Sequence, residues 1–298
     1  MRILLFGKSG QVGWELQRSL APLGDLIVLD RNSNDHCGDL CNLEGIGKTV
    51  VDLRPDVIVN AAAYTAVDKA EDDSELAGLI NAQAPAVLAN AARDCGAWLL
   101  HYSTDYVFDG SGNTPWRESD SVNPLSVYGK TKLEGEQAIQ ASGCLHLIFR
   151  TSWVYAARGQ NFAKTMLRLG QERETLSVID DQIGAPTGAE LLADVTAHAI
   201  RTASKRKDVS GLYHLAASRE CSWHAYAAYV FEFARQSGIA LKLQADALQA
   251  IATSQYPTPA RRPLNSRLNT EKLRNTFDLQ LPAWQLGVTR MLTEIYGK

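Results

Sequence analysis

Tyr128 and Lys132 lie four residues apart in Asn123-Pro124-Leu125-Ser126-Val127-Tyr128-Gly129-Lys130-Thr131-Lys132, a spacing that places both side chains on one face of a helix. An ammonium beside a phenol stabilises the phenolate, so a hydroxyl whose pKa starts at about 10 could exchange a proton with a substrate at neutral pH. Reduction of a ketone needs such a proton. An ordinary surface helix shows the same spacing, so the pair needs support from the rest of the chain. Trp98-Leu99-Leu100-His101-Tyr102-Ser103-Thr104 supplies some, because it reads as a buried strand ending in hydroxyls. In a parallel sheet those hydroxyls emerge at the carboxyl edge, where ligands bind.

Upstream elements must hold the other reactant. Arg2-Ile3-Leu4-Leu5-Phe6 is a short apolar run, Gly7-Lys8-Ser9-Gly10-Gln11-Val12-Gly13 follows at once, and Trp14 to Leu20 has helical periodicity. This strand, tight turn and helix would let the backbone approach a pyrophosphate with helix amides facing the anion, while Gly13 permits close helix-to-strand packing. The spacing is G-x-x-G-x-x-G instead of G-x-G-x-x-G, and a plain turn would use the same glycines. Gln11 and Val12 fall within the same cofactor-binding turn.

The strand Leu26-Ile27-Val28-Leu29 ends at Asp30, 23 residues after Gly7, about where a carboxylate accepts hydrogen bonds from an adenosine ribose. Arg31 beside it could accommodate a 2'-phosphate, which leaves both NADH and NADPH open. His36-Cys37-Gly38-Asp39-Leu40-Cys41 gathers potential metal ligands, but no second Cys or His pair follows at zinc spacing. Asp39 and Leu40 are instead expected to line the adenine pocket after a third strand. Val57 to Asn60 reads as a strand feeding Ala61-Ala62-Ala63-Tyr64-Thr65. Small residues there would let the cofactor come close to Ala62, Ala63 and Tyr64, although tight packing of two elements needs the same alanines. Thr65 and Val67 would open the active-site loop.

A helical pattern interrupted by Pro85 runs from Leu79 to Cys95, and an irregular connection of about 20 residues leads from Asp105 towards Tyr128. A loop of that length usually binds or covers something. After Leu145 to Arg150, the next strand, come helices at Phe162–Leu169, Glu190–Thr202 and Trp223–Gln236. Strands are expected at Leu176–Ile179, Gly211–Leu215 and Leu241–Leu243, and a final helix at Ala283–Tyr296.

The alternation until about residue 150 predicts an α/β fold: a Rossmann-like parallel sheet flanked by helices, with a smaller mixed α/β substrate-binding domain. Residues 1–150 would form the dinucleotide-binding domain, completed by part of 189–215, and 151–298 mainly the substrate domain. With 30 basic against 33 acidic side chains and no long basic block, nucleic acid is not expected as a partner. Five cysteines without a Cys-x-x-Cys pair, and an amino terminus that runs straight into a strand, predict a reduced, cytoplasmic protein. No uninterrupted apolar stretch approaches the length of a membrane span.

The glycine loop, Ser103-Thr104 and Tyr128-Gly-x-x-Lys132 together resemble the extended short-chain dehydrogenase/reductase family. Within it, Ser103-Thr104-Asp105-Tyr106-Val107-Phe108-Asp109-Gly110 and Asn123-Pro124-x-x-x-Tyr128-Gly129-x-x-Lys132-x-x-Gly135-Glu136 resemble the dTDP-4-dehydrorhamnose reductases. Arg150-Thr151-Ser152-Trp153-Val154-Tyr155, Gln182-Ile183-Gly184-Ala185-Pro186-Thr187 and Arg261-Arg262-Pro263-x-Asn265-Ser266 agree with this.

The resemblance implies reversible reduction of the 4-keto group of dTDP-6-deoxy-L-lyxo-4-hexulose to dTDP-L-rhamnose. It places Thr104 at the catalytic hydroxyl position, Tyr128 as proton donor and Lys132 as the group that lowers the tyrosine pKa and binds the nicotinamide ribose, with Thr65, Asp105 and Trp153 on the substrate. A tryptophan is equally at home in a core. The resemblance also implies a homodimer associated with magnesium, whose ligands no local motif identifies. Other members act on different nucleotide sugars as reductases, epimerases or dehydratases. The dehydratase pattern follows its threonine with Asp-Glu, and here Asp105-Tyr106 stands instead. Methionine adenosyltransferase regulatory subunits keep the fold without catalysis, but have no need of the complete hydroxyl, tyrosine and lysine set.

Overall fold

The computed structural model describes residues 1–297. The first half alternates: β1 (Arg2–Phe6), α1 (Gln11–Leu20), β2 (Asp25–Leu29), α2 (Leu43–Leu53), β3 (Val57–Asn60), α3 (Ser74–Gly78), α4 (Ala84–Cys95), β4 (Trp98–Thr104), α5 (Val127–Ser142) and β5 (Leu145–Thr151). The second half is more broken: β6 (Val154–Tyr155), α6 (Phe162–Glu172), β7 (Leu176–Ile179), β8 (Ile183–Gly184), β9 (Thr187–Gly188), α7 (Ala189–Ala203), β10 (Gly211–His214), β11 (Cys221–Ser222), α8 (Trp223–Gln236), β12 (Leu248–Ile251), α9 (Glu271–Phe277) and α10 (Trp284–Tyr296).

Six parallel strands form the main sheet in the order β10-β5-β4-β3-β1-β2. Helices cover both faces, so strands such as β1, fully buried from Ile3 to Phe6, are continuous apolar runs without alternation. One face packs on α1 and α7 through Leu5, Leu16, Leu192 and Ile200, the other on α2, α4 and α5 through Leu4, Ile46, Leu88 and Ile139. After β2 the chain returns to the other side of β1 to lay down β3. That reversal opens a crevice at the carboxyl ends of β1 and β3, the usual place for a ligand in such sheets. A third apolar cluster joins α6, α8, α10 and β7 around Leu167, Val178, Tyr226, Phe231 and Val288, the core of a smaller mixed α/β lobe.

Several local expectations differ from the structure. No third strand precedes Asp39 and Leu40: β2 is the sheet edge, and the segment after it turns back on itself, with Gly38 so near Asp30 that a Cβ would lie 2.5 Å from its carbonyl oxygen. Residues 241–243 are not a strand either. The Lys242 and Leu243 amides donate to the Gly170 carbonyl at the end of α6, and the strand beside β7 is β12. Helix passes straight through Pro85, because a wide π-type turn at Leu79–Gln83 precedes it and takes up the change of hydrogen-bond register that the missing N–H demands. The short helix α9 was unforeseen. The long connection after Asp105 is clasped to the second lobe and is no free lid: the Trp116 amide donates to the Arg267 carbonyl, the Asn265 side chain donates to the Thr114 carbonyl at 2.8 Å, and Trp116 stacks on Phe108 at 4.6 Å.

Candidate active site

α5 carries its chemistry on a face that a hydropathy pattern does not mark. Ser126 caps it by accepting from the Gly129 amide at 3.2 Å, and its buried residues are Gly129, Thr131, Lys132, Gly135, Glu136 and Ile139. Two glycines explain how a helix with so polar a face sits so deep. A Cβ on Gly129 would lie 2.2 Å from the Tyr106 carbonyl oxygen, and one on Gly135 2.2 Å from that of Asn81. Deeper along the helix, Glu136 receives Arg150 of β5 in a buried two-pronged ion pair with contacts of 2.6 and 2.9 Å. That pair fixes α5 against the sheet.

This seating brings Tyr128 to Thr104, the last residue of β4. Thr104 faces the phenol and draws its pKa down, yet enclosure of the group and the nearby Asp105 outweigh it, and Tyr128 is pushed up to about 12, with burial the main cause. Lys132 does not act on the phenol as the helical spacing implied. Its Nζ turns into the sheet, donating to the Tyr102 carbonyl at 2.6 Å and lying 3.0 Å from His101 Nε2. Burial lowers its pKa to about 8 against the opposing pull of Glu136. Tyr128 keeps part of its surface exposed, so a ligand can reach it.

The Thr104 hydroxyl donates to Asp105 at 3.1 Å and accepts from the Tyr106 amide at 3.1 Å. Asp105 is 2% exposed, and burial raises its carboxyl to about 7 against the hydroxyls of Ser266 and Thr104. Thr65, in the segment that follows β3, is exposed. Asn81 clamps the preceding loop: its side chain accepts from the Tyr64 amide at 2.9 Å and donates to the Tyr64 carbonyl at 3.0 Å and to Thr131 at 3.3 Å.

Trp153 sits beyond β5 at φ +49, a left-handed backbone that costs a bulky residue about 1–3 kcal/mol. Its surroundings impose it. The ring stacks on Trp223 at 3.6 Å and 13°, Trp223 donates to Gln182 at 3.1 Å, and Gly184 is bare where a Cβ would lie 2.8 Å from the Trp153 ring. The Gln182 to Thr187 motif thus holds a pair of tryptophans. Trp153 is both packed and partly exposed.

At the other end of the crevice Gly7 has φ +89, with room only for hydrogen because a Cβ would lie 2.7 Å from the Ala62 nitrogen. Gly13 presses on the Gly7 carbonyl, where a Cβ would lie 1.9 Å away. Gly10 precedes α1 with no side-chain cap and no acidic residue in the first turn, leaving the helix amides to an anion. Gln11 lies there with its buried Oε1 unpartnered, and Val12 packs against the core below.

Asp30 accepts from the Asn32 amide at 3.0 Å, and exposed Arg31 follows it. Lys8, which the motif reading passed over, lies 3.4 Å from Ser33 beside them. Asp39 accepts from the Cys41 amide at 3.0 Å, whereas the Leu40 side chain belongs to the core. Ala62 and Ala63 are half-buried beside Gly7 and Tyr64. Further buried oxygens without partners occur on Ser103, Asp105 and Thr151 at the ends of β4 and β5. Such atoms are rare in folded interiors, and with the glycine cradle they mark an edge suited to a dinucleotide and a polar substrate.

The RmlD substrate binding domain family matches residues 1–296. A dTDP-4-dehydrorhamnose reductase of Salmonella typhimurium is 64% identical over 99% of this chain and 98% of its own. The chain belongs to the dTDP-4-dehydrorhamnose reductase family. Its members extend to a Burkholderia thailandensis reductase, 47% identical over 97% of both chains. A Bacillus anthracis member solved in complex with NADP superposes with TM-score 0.88 at 35% identity over 98% of this chain and 99% of that one. Asn60, Asn81 and His101 were given no role by the sequence reading, and Ser266 appeared there only within a motif. For Asn60 and His101 the one signal was a polar residue embedded in an apolar strand.

Proposed function

We propose that the chain catalyses NAD(P)H-dependent reduction of the 4-keto group of dTDP-6-deoxy-L-lyxo-4-hexulose to dTDP-L-rhamnose, a nucleotide-sugar precursor of cell-surface polysaccharide, with Thr104, Tyr128 and Lys132 as its reacting set. Family membership carries the reaction, and the meeting of Thr104 with Tyr128 at the carboxyl edge carries the residues. The nicotinamide, when bound, supplies the hydride. Tyr128, protonated at neutral pH, gives its proton to the sugar oxygen as charge develops there, and the Thr104 hydroxyl donates to the same oxygen. Lys132 orients the nicotinamide ribose and Trp153 packs on the deoxysugar, with Thr65 and Asp105 beside it. Gly7, Gly10, Gln11, Val12 and Gly13 hold the pyrophosphate. Asp30 and Arg31 take the adenosine ribose or its phosphate, Asp39 and the backbone at Leu40 the adenine side, and Ala62, Ala63 and Tyr64 the face nearest the nicotinamide.

This reading includes a division into residues 1–150, completed by part of 189–215, and a substrate domain over 151–298; the pairing of β10 with β5 supports it. It also includes a cytoplasmic homodimer, consistent with five free thiols and with helices none of which, among the described residues, is long and apolar enough to cross a membrane. The reading includes magnesium associated with the dimer, its ligands unassigned. Among the described residues one chain gathers no group of three or more His, Cys, Asp or Glu suited to a metal, and no step depends on one. The test is to mix the protein with dTDP-L-rhamnose and NAD or NADP and follow absorbance of the reduced nicotinamide. Folded protein that gives no signal with either cofactor rejects the reading.

A further inference from the structure

Behind the reacting hydroxyls runs a buried polar row with too few acceptors. Asn60, His101 and Lys132 are each 1% exposed, on β3, β4 and α5. Asn60 and His101 are direct partners in the β3–β4 register. Asn60 Nδ2 lies 3.2 Å from His101 Nδ1, and His101 Nε2 lies 3.0 Å from Lys132 Nζ. The far end is pinned: the Ala62 amide donates to Asn60 Oδ1 at 3.2 Å, so the amide nitrogen is the atom turned towards the ring.

A neutral imidazole has one N–H and one acceptor nitrogen. With Asn60 donating to Nδ1, the ring hydrogen sits on Nε2 and points at Lys132. An uncharged amine accepts that hydrogen; an ammonium opposes it. An ammonium needs Nε2 as acceptor, which sends the ring hydrogen to Nδ1, against the Asn60 amide. Protonation of the ring itself is opposed by its burial and by Lys132. The charge of Lys132 and the tautomer of His101 are therefore one variable.

We propose that His101 is a positioning residue that sets the charge of Lys132, its Asn60-bound tautomer favouring the neutral amine and its exchanged tautomer the ammonium. The inference rests on Lys132 belonging to the active site. Other groups around Lys132 act in known directions. Glu136 on its own helix favours the ammonium but is neutralised by Arg150 at 2.6 Å, and the Tyr102 carbonyl accepts in either state. Tyr128 stands one turn earlier on α5, and Asp105 lies beyond the end of β4. From β3 only uncharged Asn60 faces the row, and from the helix before α4 uncharged Asn81 reaches the neighbouring Thr131.

The test is an NMR titration of the Lys132 side-chain 13Cε in cofactor-saturated protein, assigned with Lys132→Met, for the parent, His101→Gln and His101→Phe. A glutamine offers an oxygen to the ammonium at every pH, so the midpoint moves up by about 1 unit; phenylalanine keeps the volume but removes both the ring N–H that favours the amine and the acceptor that favours the ammonium, so its midpoint lies below that of the glutamine variant. The pH profile of hydride transfer should follow both shifts. A merely structural ring predicts loss of activity with an unmoved midpoint, and that result, or a midpoint in His101→Gln that does not rise, overturns the proposal. Should a variant not fold, the 15N spectrum of His101 in the parent decides: Nε2–H above the Lys132 midpoint supports the proposal and Nδ1–H rejects it. Full turnover in Lys132→Met would instead reject the site assignment beneath it.

Discussion

Tyr128 ends with the opposite electrostatics from those its spacing implies. Four residues separate it from Lys132, yet the amine bonds to the Tyr102 carbonyl, and burial holds the phenol at about 12. A phenol with so high a pKa is firmly protonated at neutral pH, which suits a proton donor in the reductive direction. Tyr128→Phe should lower turnover by about 10²–10⁴-fold while leaving NADP affinity within about threefold, read by stopped-flow transfer and cofactor titration. Asp105 gives a second expectation. Its folded pKa of about 7 lies above the ordinary carboxylate value, so folding binds a proton that the unfolded chain has lost, and stability falls as pH rises from about 4 to about 7. Asp105→Asn should remove that slope, gaining on the parent between pH 5 and 7.5 in paired urea melts. Thr104, Tyr128 and Lys132, the residues proposed to react, could be singled out because family motifs name them. His101 and Asn60 were not, because only contacts across strands reveal why apolar strands carry them.

At the scale of elements, α5 is held by polar contacts where most helices rely on an apolar stripe. Glu136 and Arg150 are 1% and 5% exposed at their side chains, so removing one charge strands the other in the interior. Glu136→Gln should cost about 3–5 kcal/mol in urea unfolding and impair turnover through misplacement of Tyr128. Strands of the main sheet could be read from the sequence, since double-sided burial makes them unbroken apolar runs. Residues 241–243 look like such a run but cap α6, and Pro85 looks like a break but sits behind a π-type turn. In both places the deciding hydrogen bonds were made outside the segment.

For the whole molecule, the clasp between the connection after Asp105 and residues 262–269 joins the two lobes. Arg262 pairs with Asp68 at 2.6 Å, and Asn265 binds the backbone of residues 111 and 114. The proposed mechanism assigns protons only to protein hydroxyls and hydride to the nicotinamide. Chelation with EDTA should therefore leave single-turnover hydride transfer unchanged within about twofold, even if sedimentation then shows a smaller assembly; loss of hydride transfer on chelation would place a metal in the chemistry.

The sequence alone determined the parallel α/β sheet and the glycine turn, and singled out the residues proposed to react, because period, glycine spacing and local motifs are properties of neighbours along the chain. The tertiary structure decided where the charges lie. Protonation of Tyr128, Asp105 and Lys132 depends on burial and on partners from other strands and helices, and those distances exist only once the chain has closed around them.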